Sequence, residues 1–237
     1  MTNDWNISAY WDDIDRLNIR EFIEVWSNFS PAFRVFGHDD IVPLIAKYFP
    51  VYVGIFDAIR IPAAKADVAR LILLYEFGGL YVDCHCGIRD KAGTSRLLSS
   101  LVEREAVFID RRLAQEPRPP EEHFLINSII LSQPKSKLIL MIARQALVNL
   151  ECHLKSERLN GHIPYHIASL TGPGLLTSLV LRPLSNREIR SDYRERVSIV
   201  REEISPIERN RYRTYGARGH WSVRPRSELL FKEELTE

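Results

Sequence analysis

A helical stretch, Ala63 to Phe77, is cut by Gly78-Gly79 and gives way to the apolar run Leu80-Tyr81-Val82, which ends on Asp83. No other feature restricts the fold as much. Pro62 stands at the first turn, where a helix tolerates it, and glycine stands past the end, where a left-handed turn is needed. Val68, Leu71, Ile72 and Tyr75 supply apolar residues at helical spacing, and the run after the glycines reads as a short strand. Upstream, Ile7 to Trp11 reads as an opening strand, Ile19 to Phe29 as an amphipathic helix and Phe33 to Phe36 as a strand. The turn His38-Asp39-Asp40 is expected to cap a helix from Ile41 to Tyr48. Helices alternating with strands predict an α/β fold layered about a central sheet.

Downstream, Ala106 to Ile109 reads as another strand, and the polar, proline-rich Arg111 to Glu122 as a loop that could lie over a site. Lys137 to Glu151 reads as a long helix, and Thr171-Gly172-Pro173-Gly174 precedes another. The last forty residues are expected to be irregular until Arg211 to Trp221. A chain of 237 residues with 45% hydrophobic and 27% charged residues is long enough to bury a substantial core. The net charge of +1 gives no electrostatic case for nucleic acid. Arginines crowd between Arg187 and Arg226; they form either a solvated face or a tail that meets phosphates, including those of a membrane face. Three cysteines, Cys84, Cys86 and Cys152, do not make a disulfide framework, and neither a signal peptide nor a membrane span is evident. A cytoplasmic protein is expected, with the inner face of the membrane as a candidate site of peripheral contact.

The strand ends on Asp83-Cys84-His85-Cys86. If the chain stays extended there, Asp83 and His85 project to one side and the two cysteines to the other. A carboxylate and an imidazole two residues apart can meet one divalent cation. Their combined charge suits Mn²⁺, which accepts imidazole, better than Mg²⁺, which favours hard oxygen ligands. The competing readings are a polar histidine at a strand end and a Cys84/His85/Cys86 zinc cluster; adjacent residues of a strand point apart, which disfavours the cluster. Asp67 and Arg70 are three apart and share a helix face, as an ordinary ion pair also would.

The run Lys65 to His85, KADVARLILLYEFGGLYVDCH, resembles the signature of glycosyltransferases with a sugar-binding DXD motif, a group with initiating α-mannosyltransferases and capsular-polysaccharide transferases. His85 stands where that family has its second Asp. Weaker matches are Tyr10-Trp11 at the end of a first strand, Trp26 and Pro31, Asn127, Thr171-Gly172-Pro173, and His220-Trp221. The resemblance implies a GT-A-type nucleotide-diphospho-sugar transferase fold with a mixed central sheet flanked by helices. It implies one domain over residues 1–237, with 1–110 binding the nucleotide sugar and 111–237 meeting the acceptor and closing over the donor.

The resemblance also implies roles. Asp67 and Arg70 would hold sugar hydroxyls and, with Asp83, form the catalytic set. Tyr10, Trp11, Gly79, Tyr81 and Trp221 would join them in binding a UDP- or GDP-sugar. Asp83, His85 and His220 would ligate Mn²⁺, with Mg²⁺ the alternative. The activity implied is metal-dependent, retaining transfer of a hexose to a hydroxyl of a glycan or lipid-linked acceptor, in surface polysaccharide or oligosaccharide biosynthesis. Two other readings stand beside it: a toxin-like transferase that modifies protein, and a nucleotide-sugar-binding module without catalysis.

Overall fold

The computed structural model describes residues 5–12, 17–111, 124–185, 195–212 and 228–232. Its strands are β1 (Ile7–Tyr10), β2 (Phe33–Phe36), β3 (Gly79–Val82), β4 (Gly87–Ile88), β5 (Ala106–Asp110), β6 (Leu125–Ser132), β7 (Val197–Arg201) and β8 (Ile207–Glu208). Among the described residues, six of these form one sheet in the order β2-β1-β3-β6-β5-β7, while β4 and β8 make a small ribbon. β1 runs parallel to β2 and β3, β6 runs antiparallel to β3 and β5, and β7 is parallel to β5. The fold is therefore α/β with a mixed central sheet, as the sequence predicts.

Helices cover both faces. α1 (Arg20–Phe29) and α5 (Lys91–Ser99) pack on one; α2 (His38–Tyr48), α3 (Val53–Ala58), α4 (Pro62–Phe77), α6 (Lys137–Asn160), α7 (Ile167–Leu170) and α8 (Pro173–Ser185) pack on the other. The pleat divides each strand between these layers: Leu80 and Val82 enter the α1 core, and Tyr81 enters the α4 core. α4 is enclosed almost all round, from Ala64 to Leu74.

The glycine pair has a steric reason. Gly78 and Gly79 have φ of 63° and 81°, and a Cβ on Gly79 would stand 1.9 Å from the carbonyl oxygen of Asn6. Side chains are excluded twice over, by backbone conformation and by the approach of β1. Gly79 therefore starts β3 at the end opposite Asp83. Packing against β1 thus accounts for the glycine at this position.

Three expectations change. His38-Asp39-Asp40 lies inside α2, whose N-cap is Gly37; Asp40 Oδ2 accepts the Gly37 N–H at 2.8 Å, and acids favour that helix end. α6 continues past Glu151 to Asn160. The stretch expected to be irregular contains β7, a half-buried edge strand that sequence reading passed over among its arginines. Residues 228–232 return to the α4 side of the molecule: Phe231 bridges Ile59, and the buried Glu157 accepts the Leu230 and Phe231 N–H groups at 3.0 and 3.3 Å. Past Arg111, the expected loop to Glu122 lies outside the described residues. No described helix is long and apolar enough to cross a membrane.

Candidate active site

The helix, the glycine turn and the strand act as a ruler. Asp67 lies about 15 Å back along α4 from Phe77, at about 1.5 Å per residue, and Asp83 about 13 Å along β3 from Gly79, at about 3.3 Å per residue. The returning strand thus brings Asp83 level with the polar residues of α4.

Arg70 joins them. Its Nη1 is 3.1 Å from Asp67 Oδ1 and donates to the carbonyl oxygen of Asn127 at 2.9 Å; its Nη2 donates to Asp83 Oδ1 at 3.1 Å. The guanidinium carbon lies 5.2 Å from the centre of the Tyr81 ring, within cation–π range. Asp67 takes two more hydrogen bonds, from Asn127 Nδ2 at 2.7 Å and from the Thr171 hydroxyl at 2.8 Å. Thr171 is thus a cross-link between the α7–α8 turn and α4 rather than a helix cap. The neighbouring glycine permits the approach, since a Cβ on Gly172 would come 3.1 Å from Asp67 Oδ2.

The cluster carries two carboxylates and one guanidinium in a nearly closed environment; Asp67 and Arg70 are each 4% exposed. Burial pushes the Asp67 carboxyl up to about 6, against the pull of Arg70 and the Thr171 hydroxyl. Burial also acts to lower Arg70, but Asp83 and Asp67 outweigh it and hold the guanidinium charged.

Two polar atoms keep unused bonding capacity. Arg70 Nε is buried with no hydrogen-bond acceptor among the described residues. Asp83 Oδ1 is occupied by Arg70 and by the Tyr81 hydroxyl at 3.0 Å, while Oδ2 takes no hydrogen bond among the described residues and the side chain is 20% exposed. Asp67 differs, because both of its oxygens are engaged. In this geometry the Asp67 oxygens face Arg70, Asn127 and Thr171.

Tyr81 also departs from expectation. It is 0% exposed, so its ring has no face to offer a nucleotide, and its hydroxyl orients Asp83. Tyr10 and Trp11, at 5% and 7% exposure, stand at the end of β1 beside Asp83 but are mostly enclosed. The Tyr10 hydroxyl donates to Asp12 Oδ1 at 2.9 Å, and the backbone N–H of Trp11 donates to Phe36 O.

The extended-strand premise for Asp83 and His85 does not hold. β3 stops at Val82, and Asp83 to Cys86 form a turn closed by the Cys86 N–H to Asp83 O at 2.8 Å. Strand alternation therefore cannot place His85. Both Asp83 and His85 are partly exposed while Cys84 and Cys86 are buried, so the turn itself sorts them. Trp26 braces it, its indole N–H donating to Cys86 O at 3.0 Å. Burial pushes the Cys86 thiol well up, which argues against a thiolate ligand for zinc. Among the described residues no three His, Cys, Asp or Glu side chains converge as a metal cluster. The free Asp83 oxygen and the partly exposed imidazole fit a cation that takes its other ligands from substrate and water. His220 and Trp221 lie outside the described residues.

Sequence reading missed Lys65 and Asp12. Lys65 is 7% exposed, and its Nζ lies 3.6 Å from Asp12 Oδ2. The missed signal was a lysine within a helix that is otherwise apolar on that side.

A family model described as a glycosyltransferase sugar-binding region containing a DXD motif matches residues 11–99, the span that holds Asp12, Lys65, Asp67, Arg70, Tyr81, Asp83 and His85. No curated protein sequence matches the chain. Among solved structures, the chain is similar to the PaToxG glycosyltransferase, with a TM-score of 0.45 and 13% identity over 78% of this chain and 72% of that one. It is also similar to the glycosyltransferase domain of the YGT toxin. In the UDP-bound form the TM-score is 0.40 and the identity 10%, over 70% of this chain and 52% of that one. In the ligand-free form they are 0.44 and 10%, over 78% and 55%. The chain thus spans about half the length of the YGT domain structures.

Proposed function

We propose that the chain is a glycosyltransferase that takes a sugar from a nucleoside-diphosphate donor and passes it to an acceptor hydroxyl. The observation that carries this reading is the pair of unsatisfied atoms on Arg70 and Asp83, at the carboxyl end of β3. β1 and β3 are neighbouring parallel strands. The chain leaves β1 through α1 on one face and enters β3 from α4 on the other. Open α/β sheets bind ligands in the crevice at such a switch point. The match of residues 11–99 to a sugar-binding glycosyltransferase region supports the same site.

In this reading Arg70 holds a fixed positive charge against the donor, with Asp67, Asn127 and Thr171 keeping it in place. Asp83 offers Oδ2 to the donor or to a divalent cation shared with His85. Mn²⁺ suits that mixed donor set, and when bound it would neutralise charge on the departing diphosphate. Such a protein would act as one transferase domain, retaining anomeric configuration and extending a surface glycan or a lipid-linked oligosaccharide.

The test is incubation with UDP- and GDP-hexoses, with and without Mn²⁺, following nucleoside diphosphate release and the anomeric configuration of the product by NMR. Donor turnover by the wild type, lost in Asp83→Ala with the fold retained, is the expected result. Absence of both donor binding and turnover across the panel would overturn the reading.

A further inference from the structure

We infer that Lys65 is a phosphate-binding residue, held by Asp12 when no ligand is present and taken over by the ligand's phosphate when it arrives. For the ligand's identity this rests on the nucleoside-diphosphate reading above; for the anion site it rests on Lys65 itself.

The side chain of Lys65 is 9% exposed, while that of Asp12 is 30% exposed. The lysine stem is therefore enclosed and its tip reaches a carboxylate that is open to solvent. The separation of 3.6 Å is longer than a hydrogen bond, and among the described residues no hydrogen bond to Nζ is made. The Phe56 ring, 5.7 Å away, adds only a cation–π contact. A single long ion pair at the tip of an enclosed lysine stem contributes little to stability, and an apolar residue on this face of α4 would pack as well. The arrangement is a poor stabilising pair and a good vacant donor.

Apart from Asp12, the start of α4 itself is free of negative charge. The first turn of α4, where Lys65 sits, has no acidic residue, and Ile61 provides no side-chain cap. The positive end of the helix dipole adds to the ammonium there. Asp12 is pinned by the Tyr10 hydroxyl on Oδ1, so only Oδ2 faces Lys65.

The position matches the crevice. Ser8 pairs with Tyr81, which sets Tyr10 level with Asp83 on the adjacent parallel strand, about 4.8 Å away across the sheet. Lys65 and Asp12 thus approach the carboxyl end of β3 from the β1 side, and Asp67 and Arg70 approach it from the β6 side through Asn127. A phosphate entering between them finds Lys65 donors on one flank. Three N–H bonds on a phosphate replace one long ion pair, and Asp12 is released to water.

Isothermal titration calorimetry on the full chain tests this, with sodium pyrophosphate in EDTA as the anion probe and with UDP and GDP each titrated both in EDTA and in Mn²⁺. Lys65→Met, which keeps an unbranched stem without the ammonium, is expected to weaken pyrophosphate binding about tenfold or more. Asp12→Asn is expected to tighten it several-fold, because the competing carboxylate loses its charge. Asp12 is partly exposed, so this second variant decides the matter if Lys65→Met does not fold. Tightening supports the inference, and unchanged or weaker binding overturns it. Pyrophosphate binding that depends on Lys65, without UDP or GDP binding, would keep the anion site and remove the sugar-donor reading. UDP or GDP binding indifferent to both substitutions would do the reverse. A wild type that binds none of the three probes refutes both.

Discussion

Replacing Asp83 by asparagine separates the chemistry of the site from its scaffolding. Asp83 Oδ1 accepts from Arg70 Nη2 and the Tyr81 hydroxyl, and Oδ2 takes no hydrogen bond among the described residues. Asparagine can put its carbonyl oxygen in the Oδ1 place and turn its NH₂ outward, so both hydrogen bonds survive. What is lost is a charge. The cluster of Asp67, Arg70 and Asp83 carries a formal charge of −1, and Asp83→Asn leaves the neutral pair Asp67–Arg70. The Coulomb attraction given up at 3.1 Å is about 5 kcal/mol at an effective dielectric constant of about 20. Most of this is offset, because a partly exposed carboxylate no longer has to be desolvated. The net loss is expected to be about 1–2 kcal/mol, or roughly 2–8 °C in Tm for a chain of this size. Turnover should fall by about a thousandfold or more, since an amide supplies neither an anionic ligand nor a charge to a bound cation. Asp67→Asn should be the more damaging to the fold. Both Asp67 oxygens are engaged by donors; an amide can keep its carbonyl on Arg70 and Asn127, but its NH₂ then meets the Thr171 hydroxyl, which has to stop donating and accept, and the buried Arg70 loses a counter-charge. Thermal unfolding and donor turnover, measured in parallel on both variants, check the reasoning. An Asp83→Asn protein that keeps a tenth of wild-type turnover, or that unfolds before Asp67→Asn, refutes it.

Three further outcomes are expected. Gly79→Ala should cost about 4 kcal/mol or more, or abolish soluble expression, because a Cβ 1.9 Å from Asn6 O forces β1 and β3 apart; a melting temperature near wild type would contradict the packing argument. Thr171→Val should destabilise by about 2 kcal/mol by removing a donor from the buried Asp67, and Thr171→Ser should restore most of it; equal Tm values for the two variants would deny the cross-link. Burial would raise Glu76, but hydrogen bonds from Lys135, Tyr48 and Lys47 prevail and hold it down at about 2. Because its folded value is below the ordinary one, its contribution is present above about pH 4.5 and is lost as pH falls toward 2. Both lysine partners are exposed, so screening limits the loss to about 1 kcal/mol; acid unfolding profiles of wild type and Glu76→Gln that coincide would remove this role.

The helix–glycine–strand unit was legible because each part has a local cause: a proline at the start, a glycine conformation at the break, and an apolar run after it. The spacing of Asp67 and Arg70 was legible for the same reason, since three residues on a helix fix a shared face. Their partners were harder. Asn127 and Thr171 reach Asp67 across 60 and 104 residues, and no local pattern encodes that return. The turn after Val82 was misread because strand alternation was carried four residues past the end of β3. β7 was hidden because an edge strand needs only half of its residues to be apolar, and Val197 and Ile199 sit among charges. Lys65 drew no notice because a lone lysine in a helix is ordinarily solvated; only its burial marks it as unusual.

The charge on Arg70 is satisfied by residues made at very different moments of synthesis. Asp67 and Asp83 leave the ribosome together, but Asn127 and Thr171 follow only after many more residues have been added. An unfinished chain therefore carries a guanidinium and two carboxylates whose neutral hydrogen-bond partners do not yet exist. Burying them at that stage is unfavourable, so α4 and β3 should stay open, protease-sensitive and available to a chaperone until β6 and the α7–α8 turn have arrived. Closure of the site in such a design waits for segments made long after α4 and β3.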